Sequence, residues 1–304
     1  SRHTFAPGET MILNALRKRK RKTSIEDAKK RAGVTASELE AYEREGYYVA
    51  RALISQAEIN ALAARYKQMG DEPARPGWWE PDFNADPAVE PLKRFPRMNM
   101  PHRWDDLSRQ MLLHPAIGDV LRVLMNEEPV AAQSMWYYKP PGARGQAYHQ
   151  DNYYLVVQPG TCFAAWIAID PATPENGGLM MIPGTQNMSI LCPEIADAKT
   201  SFTRELIKPP EGMDPVPTFL EPGDVMFFNG SIVHGSGPNQ SASTWRRSFI
   251  CHYLPTSSTH IPSYFKPLLQ FDGSEYKDVQ NLTGGGPCGT EFVSSYEVSD
   301  LALH

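Results

Sequence analysis

The spacing of apolar positions divides the chain into a helical front and a strand-rich body. Thr35-x-x-Glu38 and Ser55-x-x-Glu58 each precede an apolar run. A Ser or Thr followed three residues later by Glu lets side chains and backbone satisfy each other's free groups where a helix begins. Two helices are therefore predicted between Thr35 and Gln68, bracketing a short strand at Tyr47-Tyr48-Val49. From Gly70 to Pro101, Pro73, Pro76, Pro81, Pro87, Pro91 and Pro96 follow too closely for a regular helix and predict a long loop. Leu107, Met111, Leu112, Ile117, Val120, Leu121 and Leu124 then recur at helical spacing around a break at His114-Pro115.

Beyond Val130 the texture becomes that of strands. Short apolar runs at 131–138, 163–169, 179–182, 225–228 and 247–253 are divided by Gly, Pro and Asn. This predicts a mainly β fold with flanking helices, built on a jelly roll or related double-sheet barrel. From His260 onward periodicity is poor, and Gly284-Gly285-Gly286-Pro287 breaks any regular element. The expected organisation is an N-terminal extension over 1–34, one domain over 35–260, and a C-terminal extension over 261–304 packed on that domain.

Composition narrows the partners. With 304 residues, 41% of them hydrophobic, the chain can bury one sizeable core. A formal net charge of −5 gives no reason to expect nucleic acid or an anionic membrane as partner. The basic run Arg17 to Lys22 reads as a solvated segment beside a helix, because no basic surface interleaved with aromatics follows it. There is neither a long uninterrupted apolar stretch nor the residue order of a secretory signal, so the expected location is cytoplasmic, with no membrane partner. Cys162, Cys192, Cys251 and Cys288 are widely spaced without a CxxC pair and are expected as free thiols in a reducing compartment.

The candidate chemistry begins at His149-Gln150-Asp151, where an extended strand would put an imidazole and a carboxylate on the same side. Such a triplet arises readily by chance. A further histidine, His234, follows the run Phe227-Phe228-Asn229-Gly230 and precedes Gly235-Ser236-Gly237. Two histidines and one carboxylate on one face leave coordination positions open. That is the arrangement of non-haem iron(II) oxygenases, which need room for a chelating co-substrate and dioxygen together.

Three further blocks occur in order with these residues: Gln133 through Asp151, Ala165-Trp166-Ile167-Ala168-Ile169-Asp170, and Glu175 through Thr185. In them the chain resembles the phytanoyl-CoA dioxygenase family of iron(II)/2-oxoglutarate oxygenases over roughly Leu39 to Tyr253. The resemblance implies a double-stranded β-helix, a cupin-like jelly roll, with iron(II) held by His149, Asp151 and His234, and with 2-oxoglutarate and O2 as co-substrates. It implies that Arg246 pairs with the distal carboxylate of 2-oxoglutarate and that Ser236 shares it. Arg247 is the neighbouring alternative, because the segment from Gly237 to Trp245 is one residue longer than the pattern. Met135 and Trp166 fall where the family lines the co-substrate pocket, although plain barrel core suits them equally, and Arg97 falls near a basic position that contacts the co-substrate.

The reaction so implied is hydroxylation of an unactivated C–H bond in a small-molecule metabolite, with release of succinate and carbon dioxide. An acid at 151 argues against halogenation, which in related enzymes needs a small residue there. The alternative is a cupin-type metal-binding isomerase, hydrolase or binding module without oxidative chemistry, for which the Ser236/Arg246 pair has no obvious purpose. Glu175-Asn176-Gly177-Gly178 reads as turn chemistry. His102, His114, His252 and His260 read as surface or core residues.

Overall fold

In the computed structural model, which describes residues 25–290, both capping boxes are closed. Thr35 and Ser55 accept from the backbone N–H of Glu38 and Glu58, whose carboxylates return to the cap N–H groups, and the helices Ala36–Glu45 and Gln56–Met69 follow. Between them runs β1, Tyr47–Ala50. The basic run at 17–22 lies outside the described residues. The proline-rich loop contains a short helix, Pro91–Arg94, and a short strand β2, Met98–Asn99. The break at His114-Pro115 separates the helices Asp106–Leu112 and Pro115–Met125, and His114 caps the second by accepting from the Ala116 N–H.

The body consists of β3 (Pro129–Tyr137), β4 (Gln146–His149), β5 (Phe163–Ala168), β6 (Leu179–Met181), β7 (Glu194–Ile195), β8 (Glu205–Leu206), β9 (Val216–Pro217), β10 (Val225–Asn229), β11 (His234–Ser236), β12 (Ser248–Pro255), β13 (His260–Ile261), β14 (Leu268–Leu269) and β15 (Glu275–Tyr276). The larger sheet runs β1-β10-β5-β12-β3-β14-β15 with β2 paired to β3; the smaller runs β4-β11-β6-β9. The two form the double-stranded β-helix. Through β14 the C-terminal segment joins the large sheet. Among the described residues no helix is long and apolar enough to cross a membrane.

The period of two along the strands decides what reaches the interior. On β12, Phe249, Cys251 and Tyr253 pack with Ile59, Leu62, Tyr66, Leu112 and Leu121 of the helices. Ile250 faces the other way, among Trp166, Met226 and Phe228 of the large sheet and Leu179 and Met181 of the small one. Tyr66 stacks flat on Trp136 of β3 with ring centroids 3.8 Å apart, fixing the helix layer to the outer face of the sheet. With both faces covered, these strands read as continuous apolar runs.

One buried histidine gives the fold a pH dependence. His102 is 5% exposed with Nδ1 2.7 Å from Ser134 Oγ, and burial pushes its imidazole down to about 3. The unfolded chain takes up a proton near the ordinary value of 6.5, so stability from this group is complete above that pH and is lost as pH falls towards 3. By pH 5 the loss is on the order of 2 kcal/mol. The thermal midpoint is expected to fall between pH 7 and 5, and His102→Asn to flatten that slope.

The expectation of four free thiols is corrected. Cys192 and Cys288 form a disulfide with Cα atoms 5.5 Å apart, while Cys162 and Cys251 are free and buried. The partners stand 96 residues apart in sequence, and only the return of the C-terminal segment across the barrel brings them together.

Candidate active site

His149 ends β4 and His234 begins β11, and the two are direct partners in that antiparallel pairing. Their ring centroids are 4.3 Å apart. Asp151 lies just beyond β4, its Oδ1 3.3 Å from His149 Nε2 and 3.7 Å from His234 Nε2. One ligand atom from each of these buried residues lies within 4.8 Å of the others, so the three could hold a single metal ion. Each ring turns Nδ1 to a carbonyl two residues back, His149 to Ala147 at 2.9 Å and His234 to Ile232 at 3.2 Å. Donation there fixes the tautomer and leaves the Nε2 lone pairs facing Asp151. The His149 lone pair is also in reach of the Gln146 amide nitrogen, at 3.2 Å.

Burial alone would raise the Asp151 carboxyl, but His234 and His252 beside it, with a hydrogen bond from His252, hold it well below the usual carboxylate range. Burial pushes His234 down to about 4 against the pull of Asp151. A neutral imidazole and an ionised carboxylate are the forms that bind a metal. This buried, three-donor, nitrogen-and-oxygen set fits a divalent iron and leaves one side to further ligands.

These residues share one cavity with Met135, Trp166, Ser236, Arg246 and Arg97. Its volume of about 160 Å³ is room for a ligand and not merely a water. Arg246 is 3% exposed; its Nε donates to the Gly177 carbonyl at 3.0 Å and its Nη1 to Ser248 Oγ at 2.8 Å, and the guanidinium lies 5.2 Å from the Trp166 ring centre. Burial lowers it to about 10. Arg247 points to the opposite face, forking onto Asp170 at 2.8 and 2.7 Å. Arg97 donates to the Tyr137 hydroxyl at 3.1 Å. Met135 and Trp166 both line the cavity and belong to the core between the sheets.

The family model for phytanoyl-CoA dioxygenase (PhyH) matches residues 42–248. The chain belongs to the phytanoyl-CoA dioxygenase family. The His149, Asp151 and His234 donor set fits the iron(II) expected from the sequence. A methylphosphonate hydroxylase of Gimesia maris is 29% identical over 221 residues, 72% of this chain and 80% of that protein. Phytanoyl-CoA dioxygenase domain-containing protein 1 of Danio rerio is 28% identical over 176 residues, 52% of this chain; the match spans only 56% of that relative's length. Among solved structures, EctD from S. alaskensis with bound Fe superposes with a TM-score of 0.62 at 21% identity, covering 74% of this chain and 78% of that one. The epimerase SnoN, in complex with Fe3+, alpha-ketoglutarate and nogalamycin RO, gives 0.57 at 18% identity, covering 86% and 96%.

Within this member of the phytanoyl-CoA dioxygenase family, three residues near the site escaped the sequence reading. His252, read as surface or core, is 2% exposed and puts Nε2 3.1 Å from Asp151 Oδ2, the carboxylate oxygen turned from the other histidines. Counting by twos along the strand from Arg246 through Ser248 and Ile250 reaches it. His252→Ala is expected to weaken iron(II) binding by roughly 10- to 100-fold, because such outer partners orient the ligand carboxylate; equilibrium dialysis of the folded variant checks this.

Lys139 is fully buried beside Arg246, donating to the Gly177 carbonyl at 3.0 Å, Ser236 Oγ at 2.9 Å and the Gly237 carbonyl at 2.6 Å. Burial, reinforced by Arg246, pushes its ammonium well below the ordinary lysine range. Gly177 makes this packing possible. Its φ is +80°, and a Cβ there would lie 2.6 Å from both Lys139 Nζ and the Gly237 carbonyl oxygen. Gln146 is the third.

Proposed function

We propose that this chain hydroxylates an unactivated C–H bond of a small-molecule metabolite, consuming 2-oxoglutarate and O2 at an iron(II) held by His149, Asp151 and His234, and releasing succinate and carbon dioxide. The observation that carries the co-substrate reading is Arg246. A guanidinium at 3% exposure, without an ion pair among the described residues, is costly unless an anion joins it. A planar carboxylate suits its geometry. A metal-binding jelly roll without oxidative chemistry gives this buried cation no counterpart.

Bound together, iron and 2-oxoglutarate supply the oxidant that removes hydrogen from the C–H bond. This chain's residues do the rest. Arg246 and Ser236 would orient the distal carboxylate. Ser236 Oγ accepts from Lys139 Nζ at 2.9 Å and from the Gln146 N–H at 3.3 Å, so its own proton is left to donate to that carboxylate. Trp166 and Met135 would flank the co-substrate's chain, and Arg97 would contact it from β2's side of the cavity. Tyr153, Tyr154, Leu155, Phe202 and Phe265 wall the remaining space, exclude water and favour a small or medium organic substrate.

With iron(II) and 2-oxoglutarate under air, the purified protein is expected to release succinate slowly and to be stimulated by its substrate within a panel of small metabolites. An iron-loaded protein that forms no succinate under any of these conditions would overturn the reading.

A further inference from the structure

We propose that Asn99, with the Tyr264 hydroxyl of the same cavity, is the specificity-determining contact for the primary substrate, and that this substrate presents an N–H or O–H donor beside an oxygen acceptor, as an amide or a hydroxy acid does. The inference rests on the oxygenase reading and names the class of molecule that the cavity selects.

Asn99 is 1% exposed and lines the cavity, yet among the described residues neither its Nδ2 nor its Oδ1 has a hydrogen-bond partner. Its backbone leaves it no latitude: Asn99 pairs with Met135 across β2 and β3, and its N–H donates to the Trp78 carbonyl at 2.8 Å. Tyr264, whose hydroxyl is likewise buried without a partner among the described residues, lines the same cavity and stacks on Trp78 with ring centroids 5.9 Å apart. Buried polar atoms are seldom left unmade, and those that face a cavity point to what fills it.

An amide offers two donors on nitrogen and two lone pairs on oxygen, and turning it over exchanges the positions but keeps the need for both kinds of partner. The co-substrate cannot supply them. At neutral pH 2-oxoglutarate is a dianion with acceptors only, so it could receive from Nδ2 but has no hydrogen for Oδ1. Of the two organic molecules proposed for the cavity, only the primary substrate can supply that donor. An acyl thioester offers acceptors alone near its reacting carbon and does not meet the requirement, so the substrate class indicated by Asn99 departs from the acyl-CoA of the family's name.

The test is Asn99→Leu, close in shape and without polar atoms. Free of substrate, the variant should unfold at a temperature about 2–4 °C higher than the parent, because an unsatisfied amide has been removed. Its anaerobic visible band with iron(II) and 2-oxoglutarate should appear at the same 2-oxoglutarate midpoint. A panel of four- to ten-carbon amides and hydroxy acids, each paired with the ester or ether that lacks the donor, should stimulate succinate release by the parent only through donor-bearing members. That stimulation should fall at least about 10-fold in the variant.

A lower unfolding temperature would make Asn99 structural, and a shifted 2-oxoglutarate midpoint would make it a co-substrate residue. Either result overturns the proposal, as does stimulation by the donor-free compounds or by no member of the panel. Absence of the band in the parent protein is a different failure, that of the oxygenase reading itself.

Discussion

His149→Ala and His234→Ala should each lower iron(II) affinity more than about 100-fold and bring succinate release to background, a larger loss than any outer-shell change. The two histidines face each other across the β4–β11 pair, so the backbone ladder sets their separation independently of any ion. Truncating either leaves one imidazole and Asp151, too few donors to hold a labile divalent metal at micromolar concentration. Because the hydrogen bonds of His149 and His234 reach only near neighbours in sequence, from Nδ1 to carbonyls two residues back and from Gln146 to His149 Nε2, the barrel should survive with its unfolding midpoint within a few degrees. Dialysis against iron(II) and a circular-dichroism melt on the same samples separate loss of the ion from loss of the fold. Retained turnover in both variants would contradict the assignment.

Arg246→Ala should raise the 2-oxoglutarate concentration for half-maximal turnover by roughly 100-fold, the scale expected when one member of a buried, hydrogen-bonded charge pair is removed. Iron(II) affinity should stay within about threefold, since the hydrogen bonds of Arg246 go to Gly177 and Ser248 and not to the three ligands. Arg247→Ala is the control. Its guanidinium is 29% exposed and forks onto Asp170 away from the cavity, so its loss should cost at most about 1 kcal/mol of stability and leave the 2-oxoglutarate requirement nearly unchanged. Titrating all three proteins with 2-oxoglutarate decides the matter; an effect confined to Arg247→Ala would reverse the roles of the two arginines.

That pair also shows how far the sequence reads and where it stops. Alternation along an extended strand says that neighbouring residues face opposite ways, but not which faces inward when both faces are buried. Here the helices cover one side of β12 and the small sheet the other, so Phe249 and Ile250 look alike in sequence and only the packing separates them. Local signals were legible for the same physical reason in reverse. Thr35 with Glu38, Ser55 with Glu58, and the His114-Pro115 break are settled within one helical turn, and each stands where the pattern put it.

Contacts between distant segments were not legible. His252 reaches Asp151 across 101 residues, and Cys192 finds Cys288 across 96. Lys139 lies within the block from Gln133 to Asp151 with no role legible there, because nothing in its neighbours shows that its ammonium is buried against Gly177, Ser236 and Gly237. Asn99 sits on a two-residue strand inside a proline-rich stretch that reads as loop, and its significance is that its amide has no partner among the described residues, which no sequence pattern displays.

The most direct test of the central claim is an anaerobic titration of metal-free protein with iron(II) and then 2-oxoglutarate, followed in the visible region for the weak charge-transfer band of the chelated co-substrate. A saturable band that is lost in His234→Ala and displaced to higher 2-oxoglutarate in Arg246→Ala is the predicted result. No band, with tight binding of another divalent metal at the same three residues, would contradict it and place the chain among metal-binding jelly rolls without oxidative chemistry.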